Sequence, residues 1–231
     1  MKGKYINIVL GGSFNPPTLA HRDLAIHAAG KVSEITGRPA DTILVPSSDA
    51  YVRRKMAKQQ VHGLCFREEA RRDMCLAMLQ GYGGAVDDIE FGNDGRGCTY
   101  ETMRKLQDAD PDNEYMFLAG ADKLRIMPRW RSIEKFLSEF TIVVTARDGA
   151  SAKKAIANDP VLSRFQDSFI VIPELDGPHV GASSTKARQA IAEGANLDGA
   201  AEICGYGVTK VIEQEYDAKR VLDLSRASAR K

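Results

Sequence analysis

Apolar residues along this chain gather in short runs at 5–10 (YINIVL), 41–46 (DTILVP), 85–91 (AVDDIEF), 114–120 (EYMFLAG), 140–146 (FTIVVTA) and 168–173 (SFIVIP). Their nearly continuous apolar character is what strands covered on both faces of a parallel sheet display. Between them the pattern predicts helices at about 18–36, 64–80, 99–109, 132–139, 151–157 and 183–193, followed by a helix-like stretch at 207–216. Alternating strands and helices predict an α/β fold: a Rossmann-like, doubly wound parallel sheet with flanking helices, in a single domain. Ligands of such sheets collect beyond the carboxyl ends of the strands, so the residues just after each run are the ones to inspect. No internal repeat or low-complexity linker interrupts the pattern. Residues 1–217 are therefore expected to form one nucleotide-handling domain, and the basic stretch 218–231 a frayed tail.

A chain of 231 residues with 43% hydrophobic content can bury a substantial core. Its 32 Lys+Arg against 31 Asp+Glu leave a net charge of +1. No global field then draws it to nucleic acid or to an anionic membrane, and neither is expected as a partner. A charged ligand has to be met locally. The four cysteines, Cys65, Cys75, Cys98 and Cys204, form no C-x-x-C pair and have no zinc-site spacing. They read as reduced structural thiols. The apolar stretch at the start is too short for a signal-peptide core, and no run approaches membrane-spanning length, so a cytoplasmic location is expected.

Directly after the first run comes Gly11-Gly12-Ser13-Phe14-Asn15-Pro16-Pro17-Thr18-Leu19-Ala20-His21. Glycines at a strand-to-helix turn let the backbone approach a phosphate, and the following helix points free amides and its positive dipole end at the same place. Thr18 and His21 are three apart, so they share one face of the first turn and both could face that phosphate. The alternative is that the glycines only make a turn and His21 packs the helix. The loop is neither G-x-G-x-x-G nor a Walker loop. Far along the chain, Gly181-Ala182-Ser183-Ser184-Thr185-Lys186-Ala187-Arg188 offers a second helix start. Ser183 suits an N-cap, the amides and hydroxyls of 183–185 suit an anion, and Arg188, four residues after Ser184, can reach the same anion. An ordinary capped helix with a solvated arginine fits this segment as well.

Together these segments resemble the nucleotidyltransferase superfamily, whose marks are G-x-F-x-P-x-[HT]-x-x-H after strand one and S-S-T-x-x-R near the C-terminus. Here they read GGSFNPPTLAH and SSTKAR. Within it, Thr99-Tyr100-Glu101-Thr102, Gly120-Ala121-Asp122-Lys123-Leu124 and Met127-Pro128-Arg129-Trp130 are similar to nicotinate-nucleotide adenylyltransferases. The likeness spans about 5–216. Two departures stand out: Thr18 where many bacterial members have His, and Ala20 where Gly is usual. The stretch 49–55 is closer to the eukaryotic-type enzymes, so nicotinamide mononucleotide competes with nicotinate mononucleotide as the expected acceptor.

The resemblance implies in-line attack of a mononucleotide 5′-phosphate on the α-phosphorus of ATP, with pyrophosphate released and no covalent enzyme intermediate. It implies His21 as the main transition-state stabiliser, with Thr18 and Arg188 also catalytic. The backbone of Gly11, Gly12, Ser13 and Phe14 would line the phosphate cradle, and Ser183, Ser184, Thr185 and Arg188 would hold the β and γ phosphates. Mg²⁺ would ride mainly on the ATP phosphates, with no protein metal cage. Gly120 and Asp122 fall on the ATP side, Asp122 as a ribose acceptor or a helix N-cap. Trp130 would stack on the pyridine ring or serve as packing, and Thr99 would meet the ring substituent or cap a helix. Arg53, Arg54 and Lys55 would meet a phosphate or form a solvated basic loop, while His27, His62 and His179 match no motif position. Rival readings are pantetheine-phosphate adenylyltransferase, against which the GAD…PRW segment speaks, and a nucleotide-sensing module without turnover, against which intact His21 and Arg188 speak. Oligomeric state stays open.

Overall fold

The computed structural model describes residues 5–58, 64–193 and 197–228. Strand β1 (Ile6–Gly12) leads to α1 (Leu19–Thr36), β2 (Ala40–Pro46) to α2 (Asp49–Lys58) and α3 (Glu68–Leu79), and a short β3 (Ala85–Val86) to α4 (Thr99–Ala109). The chain then runs through β4 (Glu114–Gly120), α5 (Ile133–Glu139), β5 (Thr141–Ala146), α6 (Gly149–Asn158) and β6 (Phe169–Pro173). Three helices finish it: α7 (Ser184–Glu193), α8 (Asp198–Cys204) and α9 (Tyr206–Ser228). All strand pairings are parallel, and the sheet order is β3-β2-β1-β4-β5-β6. This is the expected Rossmann-like, doubly wound sheet with flanking helices. The chain winds outward from β1 on one side and from β4 on the other, so a crevice opens where β1 and β4 end, at Gly12 and Gly120.

Strand residues alternate between two layers. Ile6, Ile8, Met116, Leu118 and Val143 pack with Ala28, Ala29 and Val32 of α1 on one face. Val9, Tyr115, Ala119, Ile142 and Val144 pack with Met103 and Leu106 of α4 and Phe136 and Leu137 of α5 on the other. Leu44 and Phe14 belong to a third cluster, built from α3, α7, α8 and α9. Helix α1 stops at Gly37, whose φ of 67° is left-handed and whose N–H reaches the Ser33 carbonyl at 2.9 Å.

The predicted strand at 85–91 is only Ala85–Val86. Beyond it the Asp87 carboxylate accepts the Ile89 N–H at 2.9 Å, and the Phe91 N–H bonds the Asp88 carbonyl at 2.8 Å, so local turns replace the ladder. Two helices were not anticipated. In α2 only Val52 and Met56 are buried, four residues apart, too thin a stripe to stand out beside the basic run. In α8 the buried residues are Ala200, Ala201 and Cys204, small side chains with a weak apolar signal. Helix α6 begins at Gly149, two residues before its predicted start, because the Asp148 carboxylate accepts the N–H groups of Ala150 and Ser151. Helix α9 continues past 216, while His62 and residues 229–231 lie outside the described residues. All four cysteines are free thiols, and burial pushes Cys204 up to about 12 and Cys75 still higher. Among the described residues no helix is long and apolar enough to cross a membrane.

Candidate active site

Thr18 is the extended N-cap of α1, and His21 sits three residues later, where a capping-box side chain reaches back to the cap. The Thr18 main-chain N–H donates to His21 Nδ1 at 3.1 Å, and Thr18 Oγ1 lies 2.7 Å from the same nitrogen. A nitrogen that accepts an N–H carries no proton, so the ring proton belongs on Nε2. The expectation that Thr18 faces the phosphate is therefore corrected. Thr18 is fully buried and holds the imidazole from behind. The Phe14 side chain is 1% exposed and packs edge-on against His21 at 5.2 Å, so it supports the turn from beneath.

Burial, and then the charge of Lys55, lower the His21 pKa from 6.5 to about 4. The imidazole is thus a neutral Nε2–H donor near neutral pH. In the unfolded chain the same group takes its proton near 6.5, before the folded chain does. The stability this provides is complete above about 6.5 and is lost as pH falls through about 4. Between pH 7 and pH 5 the expected loss is roughly 2 kcal/mol. Denaturant midpoints of wild type and His21→Asn at the two pH values check this: the acid-labile part should vanish in the variant, and an equal loss in both proteins would refute it.

The second helix start is joined to the first. Ser183 acts as the N-cap of α7, its Oγ accepting the Lys186 N–H at 3.3 Å. Ser184 Oγ donates to the Pro16 carbonyl at 2.8 Å. Arg188 donates through Nη1 to the Asn15 carbonyl at 2.8 Å and through Nη2 to Thr185 Oγ1 at 3.2 Å. Arg188 is 5% exposed, and its Nε is buried without a hydrogen-bond partner. Between the two helix starts lies a cleft of about 360 Å³ lined by Ser13, His21, Lys55, Ser183, Ser184, Thr185 and Arg188, with no carboxylate among the described residues. Lys55 has its pKa lowered by burial and by the charges of Lys123 and Arg188. Crowded cations and an unsatisfied buried donor are what a polyanion would relieve.

A second cavity of about 360 Å³ adjoins the first and shares Ser13 and Lys55 with it. Lys55 Nζ donates to Ser13 Oγ at 3.1 Å, at the junction of the two. Gly11, Gly12, Thr99, Gly120 and Trp130 also line this cavity. Trp130 stacks on Phe136 at 6.5 Å and meets Phe117 edge-on at 6.0 Å. Thr99 is the first residue of α4, and Cys98 holds the N-cap position. A Cβ at Gly120 would stand 2.6 Å from Asp122 Oδ1, so a side chain there would have to displace the exposed Asp122 carboxylate.

Besides Thr18 and Phe14, Asp122 and Arg53 stay outside both cavities. Asp122 is exposed in a 3-10 turn (Ala121–Lys123) and pairs with Lys123 at 2.5 Å. Arg53 points outward from α2, 70% exposed, and pairs with Asp49 at 3.4 Å. Neighbouring Arg54 donates to the Asp94 carbonyl at 2.9 Å and tethers the 92–98 loop instead.

Two residues of the site were missed in the sequence. Arg71 is completely buried and donates to the Ser13 carbonyl (2.9 Å), the Phe66 carbonyl (3.1 Å) and Asp49 Oδ1 (3.1 Å). It holds the turn after β1 and the start of α2 together. Its signal was a lone arginine in register with the apolar face Met74, Cys75 and Met78. Glu90 lines the second cavity. It was hidden inside a run read as strand.

The family model described as cytidylyltransferase-like matches residues 9–190, which include both helix starts. This chain belongs to the cytidylyltransferase-like family. Curated relatives include the "Probable nicotinate-nucleotide adenylyltransferase" of Shouchella clausii, 29% identical over 89% of this chain and 91% of the relative. The protein of the same description from Clostridium beijerinckii is 27% identical over 82% and 89%. Among solved structures, the Plasmodium falciparum nicotinic acid mononucleotide adenylyltransferase in complex with NaAD superposes with a TM-score of 0.64 at 17% identity, over 92% of this chain and 96% of that one. That likeness shows a shared fold.

Proposed function

We propose that the chain is a cytoplasmic adenylyltransferase that joins the AMP part of ATP to nicotinate mononucleotide and releases pyrophosphate, a step of NAD biosynthesis. One observation carries this reading: a cleft lined by Lys55 and Arg188, with no carboxylate among the described residues, and a Trp130-lined cavity meet at the Ser13–Lys55 bond. A triphosphate and a base-bearing monophosphate laid in the two halves bring their phosphates together there. The names of the curated relatives support the same substrates.

His21 Nε2–H donates to an α-phosphate oxygen and strengthens that bond as charge builds in the transition state. Lys55 and Ser13 hold the attacking 5′-phosphate in line, which is most of what phosphoryl chemistry asks of a protein. Ser183, Thr185 and Arg188 hold the β and γ phosphates, Gly11 and Gly12 give the backbone close approach, and Trp130 and Thr99 receive the pyridine ring. The cleft offers hydroxyls and cations, and among the described residues no group of three or more His, Cys, Asp or Glu side chains could cage a metal. These residues fit Mg²⁺ arriving on ATP, held by phosphate oxygens and water. Once bound, the ion would neutralise charge on the leaving pyrophosphate.

Purified protein incubated with Mg²⁺, ATP and, separately, nicotinate mononucleotide, nicotinamide mononucleotide and 4′-phosphopantetheine tests the proposal. The dinucleotide should form fastest from nicotinate mononucleotide. No dinucleotide from either pyridine acceptor would refute it.

A further inference from the structure

Glu90 has no role in the scheme above, yet it is the only carboxylate among the described residues lining the Trp130 cavity. Its place is set from both sides. Thr102 Oγ1 donates to Glu90 Oε1 at 2.7 Å, and Thr102 stands one turn after Thr99 on the same face of α4. Ser47 hydrogen-bonds the same carboxyl, and the Ser47 N–H donates to the Gly12 carbonyl at 2.8 Å. Glu90 is therefore tied to the ring end of the cavity through α4 and to the phosphate end through the turn after β1.

In a mononucleotide the ribose lies between the base and the 5′-phosphate. With the ring at Trp130 and Thr99 and the phosphate at Ser13 and Lys55, the ribose would lie in the cavity that Glu90 also lines. An ionised carboxylate accepts two O–H bonds, which is what a vicinal diol offers. We infer that Glu90 receives the ribose 2′,3′-diol of the acceptor mononucleotide and so selects ribonucleotides over deoxyribonucleotides; this rests on the reading of the cavity given above. Burial holds the carboxyl's pKa up, against the Thr102 and Ser47 bonds, and two further O–H donors stabilise the anion in place.

The experiment compares kcat/KM for nicotinate mononucleotide and its 2′-deoxy analogue in wild type and Glu90→Gln. Wild type should prefer the ribose form by roughly 10-fold or more, the scale of a lost hydrogen bond to a charged group. In Glu90→Gln the preference should fall to a few-fold, through a KM that rises more for the ribose form than for the 2′-deoxy form, which keeps only the 3′-OH bond, with the KM for ATP unchanged. A purely structural latch would slow both acceptors equally and leave the ratio intact, which would overturn the proposal. Wild type that does not discriminate overturns it without any variant. If wild type makes no dinucleotide from either pyridine acceptor, the reading of the cavity fails, and Glu90's role with it.

Discussion

His21→Ala lowers kcat by roughly 10²- to 10³-fold, the scale of removing one preorganised donor to a developing oxyanion, while the KM for ATP changes by only a few-fold. In the proposed reading the ground-state triphosphate is held chiefly by Arg188, by the hydroxyls at the start of α7 and by Lys55, which line the cleft and survive the substitution. What disappears is a single Nε2–H whose direction is locked by the Thr18 N–H on Nδ1. Because the loss falls on an interaction that strengthens in the transition state, it appears in kcat more than in KM. Steady-state kinetics with ATP varied at saturating mononucleotide checks this. A near-normal kcat would remove His21 from the chemistry, and a large rise in ATP KM with kcat intact would make it a binding residue.

The second large effect is on folding. Arg71→Met costs about 3–5 kcal/mol of stability, because it leaves buried groups without their partner. Methionine fills most of the space but donates nothing, so the carbonyls of Ser13 and Phe66 lose their donors in the interior. Asp49 fares better, since its side chain is 25% exposed and water can reach it. The lost bond to Ser13 also frees the turn on which the mononucleotide phosphate is proposed to rest. Chemical denaturation of wild type and variant measures the effect, with a melting temperature lower by roughly 10 °C as the companion readout. A loss below about 1 kcal/mol would mean that the arginine is not what holds these three segments together.

The order of strands and helices could be read along the chain because a parallel sheet covered on both faces leaves dense apolar runs, and β1, β2, β4, β5 and β6 each produced one. The two helix starts that flank the cleft were readable too, since N-caps and strand-end glycines are local devices whose residue types follow from local backbone needs. Helices α2 and α8 escaped, as their buried faces amount to two residues or to small ones. Thr18 shows the limit of periodicity most clearly. Its spacing from His21 correctly put both on one turn, but the cap geometry decided that Thr18 faces the imidazole and not the cleft.

The sequence by itself thus determined the fold class, the order of its elements and the residues at each helix start, because these depend on short-range pattern. The tertiary structure decided how distant residues meet: Arg188 on the Asn15 carbonyl, 173 positions apart, Lys55 on Ser13, Arg71 on three separate segments. Such pairings are set by which face of each element is buried against which neighbour. That information lies in the packing of the whole sheet, where Asp122 and Arg53 were turned outward and Glu90 was carried into the cavity.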